Sequence, residues 1–396
     1  MSAVSPRARR VWLQIHKVLG LALGLWFLLM GVTGSLLVYY RGLEARLDAR
    51  LREQPGVTAP AKIAEVHRTL VAAHPQRGTG WRIEVPPRPG EPVTARFLKP
   101  VETLGAYFAP LLATTDPSGR TLVANRFWGE TPGTWIYDLH FSLLGGELGV
   151  KVVGWGGVAL AASLVSGLVI WWPARGRWRQ ALRLRRGVST VRRVYDLHTV
   201  FGALGAVLLL ILALTGSALA LPDLVKPMIA SVSPLTPVPR PAVPPPAEAA
   251  GPRLDADAAI ARAMQAFPGA QVRWIDTPAT DGGLYRIRLR QPGEPGDRFP
   301  DTLVWIDSTR GEIVARRDPR HFSAGDTVWQ WMHPLHSGEG FGPVGRLLVC
   351  LCGVLPVLLA VTGLWRWLDK RRARRRTAPR SPRVLPVSPV TEGVSR

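Results

Sequence analysis

Four long apolar runs stand out from an otherwise mixed pattern, roughly Leu13–Tyr40, Val150–Trp172, Phe201–Leu221 and Leu347–Trp367. Each supplies the ~20 apolar residues that a helix needs to cross a hydrocarbon core. Trp12, Tyr39, Tyr40, Trp171, Trp172, Trp365 and Trp367 gather at their ends, where amphipathic rings favour the membrane interface. The first run is too long for the apolar part of a cleaved signal, and no small-x-small cleavage site follows it, so it reads as a retained helix.

Between the runs the period changes. "LDADAAIARAMQAFPGA" has the spacing of a short amphipathic helix, with Asp255 or Asp257 as its N-cap. The alternating stretches "QVRWIDT", "LYRIRLR", "TLVWIDS" and "EIVARRD" then predict strands, the last two joined by a turn at Thr309–Gly311. Earlier, "AKIAEVHRTLVAAHP" predicts a helix, and "WRIEV", "VTARFL" and "TLVANRF" predict strands. A proline-rich stretch, "PLTPVPRPAVPPPAEAAGP", reads as a stiff linker without a core.

Charge sets the orientation. The 396 residues carry a formal net charge of +22, which by itself would suggest a nucleic-acid partner. The arginines, however, cluster before the first run (Arg7, Arg9, Arg10), after the second (Arg175 to Arg193) and after the fourth (Lys370 to Arg376). With four spans these segments share one side, the positive-inside pattern, which predicts both termini cytoplasmic and no nucleic-acid role. The expected partition is a cytoplasmic N-terminus (1–12), a first span (13–40) and an extracytoplasmic α+β domain (41–134). An interfacial segment with the second span (135–172), a basic cytoplasmic loop (173–194) and a third span (195–221) follow. A linker with a second α+β domain (222–328), an interfacial segment with the fourth span (329–368) and a basic tail (369–396) complete it.

The plan repeats. "IHKVLGLALGLWFLLMGVTGSLL" and "LHTVFGALGAVLLLILALTGSAL" put His16 and His198 in one frame with Gly20 and Gly202, and with the Thr-Gly-Ser triplets starting at Thr33 and Thr215. Trp135 and Trp331 stand at equal distances before His140 and His336, and Ser166-Gly167 matches Thr362-Gly363. "DPSGRTLVANR" aligns with "DSTRGEIVARR" in the two loops. The fold class expected is therefore a mainly α membrane protein, with four transmembrane helices and two extracytoplasmic α+β domains, internally duplicated.

Recurrent histidines carry the chemistry. Ionisable groups at spans are costly and tend to be functional. From His16 to Thr33 is about 26 Å of helix rise, so His16 and His198 belong to one face of the membrane and His140 and His336 to the other. Zinc would want one compact four-ligand cluster. Two sites of two imidazoles fit bis-histidine haem, whose apolar faces suit a groove between helices. The expectation is two b-type haems, with Gly20, Gly24, Gly202 and Gly205 either making room for them or serving only close helix packing, and Arg10, Arg192 and Arg193 as partners for haem propionates, although their topological role alone explains them. His333 is an extra histidine one turn ahead of His336. Asp196 is a candidate partner for the second ring nitrogen of His198. His67, His74 and His321 have no repeat partner, and Cys350 and Cys352 read as small apolar residues of a packed helix. No Walker loop, nucleophile elbow or dinucleotide fingerprint is present, so any cytoplasmic electrons come from another molecule.

The stretches "IHKVLGL…GVTGS", "YDLHFSLLGG", "YDLHTVFGALG…ALTGSAL" and "WMHPLHSGEGFG…VTGLWRW" resemble the PepSY-associated transmembrane helix family, also described as iron-regulated membrane proteins. The resemblance covers nearly the whole chain outside the tails and makes the two loops PepSY-like. It implies a haem-containing inner-membrane oxidoreductase that carries electrons across the membrane to reduce periplasmic ferric siderophores or other ferric chelates. Its electron donor would be a quinol or a cytoplasmic reductant, and lipid would surround its helices. The family's recurrent histidines match His16, His140, His198 and His336 as axial ligands of haem iron. His333 stands where the first half has Tyr137, which leaves His333 and His336 as alternatives. Two other classes compete: a non-redox PepSY anchor or regulatory module, which has no need of the histidines, and a haem or iron-chelate transporter. A transporter is disfavoured by spans without central acidic residues or broken helices.

Overall fold

The computed structural model describes residues 5–243, 253–279 and 282–377. Part of the proline-rich linker and most of the basic tail lie outside the described residues. Among the described residues, twelve α-helices and eight strands follow one another in two similar series. The first runs α1 (Pro6–Val38), α2 (Tyr40–Leu47), α3 (Ile63–Ala73), β1 (Arg82–Glu84), β2 (Val93–Phe97), β3 (Leu111–Thr115), β4 (Leu122–Phe127), α4 (Pro132–Ser142) and α5 (Gly146–Trp171). After the short α6 (Trp178–Ala181), the second runs α7 (Thr190–Ala220), α8 (Pro222–Ala230), α9 (Ala256–Ala266), β5 (Gln271–Asp276), β6 (Leu284–Arg290), β7 (Thr302–Asp307) and β8 (Ile313–Arg317). It ends with α10 (Ala324–Ser337), α11 (Gly342–Cys352) and α12 (Leu355–Thr377).

Helices α1, α5, α7 and the stretch from Glu339 to Arg375 are long and apolar enough to span a membrane. The first and third begin before their apolar runs do. Ser5 accepts from the Ala8 amide and Ser189 from the Arg192 amide, so serine caps start each helix within the basic segment. The fourth span, expected as one helix, is interrupted between Cys352 and Leu355. The interruption packs tightly: a Cβ on Gly353 would fall 2.0 Å from Ser35 Oγ and 2.4 Å from the Gly31 carbonyl oxygen. The same contact recurs in the other half, where a Cβ on Gly157 would fall 2.3 Å from Ser217 Oγ and 3.0 Å from the Ala213 carbonyl. Ser35 donates to the Cys350 carbonyl at 2.7 Å and Ser217 to the Gly154 carbonyl at 2.9 Å. The serine of each Thr-Gly-Ser triplet is thus helix-packing glue, and small residues let the backbones approach. Cys352 is buried in this packing, as expected for a small apolar residue.

The largest difference from the sequence reading lies outside the bundle. Two separate sheets are expected, but the strands form one antiparallel sheet in the order β4-β3-β2-β1-β5-β6-β7-β8. The seam is β1 against β5, pairing Arg82 with Asp276, Ile83 with Ile275 and Glu84 with Trp274. Alternation predicts that these segments are strands, but not which edge they seek. β3 carries the alternation of Leu111, Ala113 and Thr115 and has no counterpart among the expected strands.

One face of the sheet is covered by α3 and α9. Ile63, Val66, Leu70, Ala256, Ala259 and Ala263 pack on Ile83, Ala95, Ala113, Ile275, Ile287, Val304 and Ile306. Full burial of each large aliphatic side chain contributes about 1.5–3 kcal/mol. Asp255 is the α9 N-cap, accepting from the Ala258 amide at 2.8 Å. Asp257 instead crosses over and accepts from the Ile63 and Ala64 amides at 2.9 and 3.1 Å, capping α3. The expected turn holds, with Asp307 accepting from the amides of Thr309 and Arg310; Asp116 accepts likewise from those of Arg120 and Thr121, and Gly119 and Gly311 take positive φ. The opposite face carries Glu84, Arg96 and Trp274 toward α2 and α4.

Candidate functional site

α4 and α10 are short helices at the sheet end of the bundle, outside the four spans. Each opens on a capping box, Thr131 with Thr134 and Ser323 with Asp326, and each ends on a left-handed residue, Leu143 or Gly338. Hard stops at both ends fix the rotation of each helix, and so where His140 and His336 point. Trp128 adds a tether, donating from Nε1 to Asp138 Oδ1 at 2.8 Å, two residues before His140.

The four recurrent histidines meet as two pairs. The His16 and His198 ring centroids are 6.1 Å apart, with planes at 76°. Those of His140 and His336 are 6.2 Å apart, at 43°. Each pair joins one histidine from each half of the chain. The first lies at the start of α1 and α7, the second at the sheet end, about 26 Å further along α1 by its helical rise.

The same device holds all four rings. His16 Nδ1 lies 3.1 Å from Ser166 Oγ, and His140 Nδ1 lies 2.9 Å from Thr33 Oγ1. His198 Nδ1 lies 2.9 Å from Thr362 Oγ1, and His336 Nδ1 lies 3.2 Å from Thr215 Oγ1. These hydroxyls spend their own hydrogens on the preceding turn: Thr33 donates to the Leu29 carbonyl, Thr215 to Ile211, Thr362 to Leu358 and Ser166 to Ser163. The hydroxyl oxygen is therefore the acceptor, and the histidine Nδ1 carries the proton. Carbonyls of Ser163 and Leu212 accept further from His16 and His336. With Nδ1–H committed, each neutral imidazole presents the Nε2 lone pair, the ligand form. Among the described residues, no side chain or carbonyl hydrogen-bonds to any of these four Nε2 atoms. Burial lowers the pKa of His140 to about 4 and of His336 to about 3, which keeps both neutral at pH 7.

A glycine follows each hydroxyl residue, and the ring lies on it. A Cβ would reach the histidine Cε1 at 3.1 Å from Gly34, 3.1 Å from Gly167, 2.7 Å from Gly216 and 3.3 Å from Gly363. The hydroxyl–glycine dipeptide is thus a cradle: the oxygen sets the ring's tautomer and the bare α-carbon admits its edge. These eight residues are the part that sequence reasoning leaves unassigned. The signal is visible, since Thr-Gly and Ser-Gly keep their frame in both halves, but nothing in one dimension links Thr33 to His140.

Other expectations sort as follows. His333 does not join a pair; its Nδ1 lies 3.0 Å from Glu339 Oε1 and its ring stands edge-on to Phe299. Asp196 is not the partner of His198, because Thr362 takes that place. Asp196 accepts instead from Arg192 Nε at 2.9 Å, the ordinary i,i+4 ion pair of an arginine one turn away. Of the glycines expected to make room, Gly20 and Gly24 face open space. Gly205 is filled by Leu355, and Gly202 touches Leu359, as helix packing requires. His67 Nε2 donates to the Thr79 carbonyl, and His74 lies against Trp81, both within the sheet domain.

Chemically, two neutral imidazoles whose centroids lie about 6 Å apart leave room for one metal ion bonded to both, at roughly 2 Å each. No group of three or more metal-ligating side chains occurs among the described residues, so a protein-only zinc cage has no basis there. A metal brought inside its own equatorial macrocycle needs only these two axial donors, and the residues fit haem in that respect. The match to known families is broad: residues 13–370 match the PepSY-associated TM region. No curated protein matches the chain.

Proposed function

Because the chain belongs to the family of PepSY-associated TM regions, we propose that this membrane protein is a haem-containing reductase, carrying electrons through the bilayer to a ferric chelate on the sheet side. One observation carries this reading. Four imidazoles stand in two facing pairs, every Nδ1 is held by a Ser or Thr oxygen, and no described residue bonds an Nε2. A regulatory anchor needs none of this preorganisation. His16 and His198 would hold one haem b, and His140 and His336 a second; bound there, haem supplies reversible one-electron chemistry. The chain's own part is to fix the imidazole tautomer, keep water from the ring edges with glycine-seated contacts, and set the two sites in register along α1 and α7.

In this reading the chain arose by internal duplication and lies in a bacterial inner membrane with both termini in the cytoplasm. The sheet domain is periplasmic, the electron donor is a quinol or a cytoplasmic reductant, and the acceptor is a ferric siderophore or similar chelate. The interrupted fourth span gives the transporter alternative little support, because Gly31 and Ser35 close the interruption by packing. An optical spectrum with pyridine-haemochrome quantitation tests the proposal: purified protein shows a low-spin b-type spectrum, about two haems per chain, and reoxidation by a ferric chelate after reduction. Colourless protein that takes up no haem would sink it.

A further inference from the structure

On the sheet face turned toward α4, the helix that carries His140, Arg96 projects from β2. Its guanidinium lies between two indoles, 5.2 Å from the ring centre of Trp128 and 5.0 Å from that of Trp274. Among the described residues the Arg96 side chain forms no hydrogen bond or ion pair, and its Nε is buried without a partner. Buried arginines are ordinarily paired, since an unmatched buried charge costs several kcal/mol. The neighbours deepen the imbalance. Arg41 donates to Glu84 Oε2, and Arg298 Nε lies 3.5 Å from Glu84 Oε1, so one carboxylate serves both. Arg298 Nε forms no hydrogen bond, and its NH1 donates to the Tyr40 hydroxyl at 2.5 Å. Burial, then repulsion from Arg298, pulls the Arg96 pKa down to about 10.

Both walls of the clamp are tied to the histidine helices. Trp128 donates to Asp138 on α4. Trp274 stacks on Phe299 at 5.8 Å, and Phe299 meets His333 on α10 at 5.4 Å. Arg96 Cζ lies over both indole rings, contacts that use none of the guanidinium's N–H donors, and those donors suit two-pronged pairing with a carboxylate.

We propose that Arg96, assisted by Arg298, is a carboxylate-binding site at the sheet-side end of the bundle. The carboxylate comes either from the cofactor of the adjacent histidine pair or from an acidic ferric chelate docked over it. Either source rests on the function proposed above; the carboxylate site itself does not.

The test uses full-length protein in detergent, wild type against Arg96→Gln, which removes the charge, and Arg96→Lys, which keeps it without the two-pronged edge. Thermal unfolding reports whether each variant folds. On haem-free protein, citrate is titrated and its dissociation constant measured; Arg96→Gln raises it tenfold or more and Arg96→Lys by less. Two further arms separate the sources. If the carboxylate is the cofactor's, Arg96→Gln shifts the midpoint potential of one haem only, and reconstitution with protohaem dimethyl ester abolishes the difference between variant and wild type. If it is the substrate's, haem content and potentials stay unchanged while the dissociation constant of ferric citrate rises tenfold. A folded Arg96→Gln protein that binds citrate, haem and ferric citrate like the wild type, with unchanged potentials, overturns the proposal and leaves Arg96 a stacking cation. Protein that binds no haem yet loses citrate affinity on substitution refutes the reductase reading alone.

Discussion

Alanine at Gly216 puts the hydroxyl–glycine cradle under direct load. The new Cβ would stand 2.7 Å from His336 Cε1 and 3.3 Å from Nδ1. Carbon atoms rest at about 3.5–4.0 Å, so the ring or its helix must retreat by roughly 1 Å. The bond from His336 Nδ1 to Thr215, 3.2 Å long, then passes beyond useful length. Overpacking costs about 1–3 kcal/mol and the lost hydrogen bond about 0.5–1.5 kcal/mol. Together that is about 1.5–4.5 kcal/mol, or roughly 10- to 2000-fold in the affinity of this pair for its ligand. Gly363→Ala provides the internal comparison, because its Cβ would clear His198 Cε1 at 3.3 Å and needs only a few tenths of an ångström. Its cost is about 1 kcal/mol or less, within fivefold or so. The assay is haem titration of haem-free protein followed at the Soret band, with thermal unfolding as the folding control. The reasoning fails if Gly363→Ala weakens binding as much as Gly216→Ala, or if Gly216→Ala binds two haems at wild-type affinity.

Further outcomes are expected. His16→Ala and His198→Ala remove low-spin character from the same haem and the double variant is no worse than either single, as for residues acting as one unit; spectra showing damage to different haems would refute the pairing. Thr33→Val, which cannot accept from His140, lowers haem retention by about tenfold, while Thr33→Ser restores it, both read by gel filtration and haemochrome. Alkaline phosphatase fused near residue 250 is active and fused after residue 376 inactive; the reverse would place the sheet in the cytoplasm. Burial lowers the pKa of His67 from 6.5, so the unfolded chain binds more protons and stability falls as pH drops below about 6.5. His67→Gln, which can still reach the Thr79 carbonyl, flattens that fall in thermal unfolding between pH 5 and 7.5; an unchanged slope would show that another group sets it.

Much of this was written in one dimension because it depends on period and recurrence. Apolar length gave the spans, alternation gave seven of the eight strands, and the repeated frame of His16 and His198 set them on equivalent helices. What stayed hidden depends on contacts between distant segments. Thr33 meets His140, Ser166 meets His16, and β1 meets β5 only after the helices pack, and no local pattern encodes a partner. Asp257 shows the limit well: its position in the first turn of α9 makes it a plausible cap there, yet it serves α3 across the domain. His333 and His336, one turn apart, look interchangeable in sequence; only the helix rotation fixed by Ser323 and Gly338 separates them.

The β1–β5 seam has a consequence for biogenesis. β1 emerges from the ribosome with its outer edge unpaired and keeps it so until Gln271–Asp276 has been made, two spans and a linker later. An open strand edge in that interval is a template for wrong partners. β1 is only three residues long and flanks its one apolar side chain, Ile83, with Arg82 and Glu84, charges that discourage casual pairing. Asp276 answers Arg82 at 2.7 Å when the correct strand arrives. The seam can therefore close only after the third span, and His198 with it, has been made, while α10 with His336 and the fourth span follow β5 in the chain.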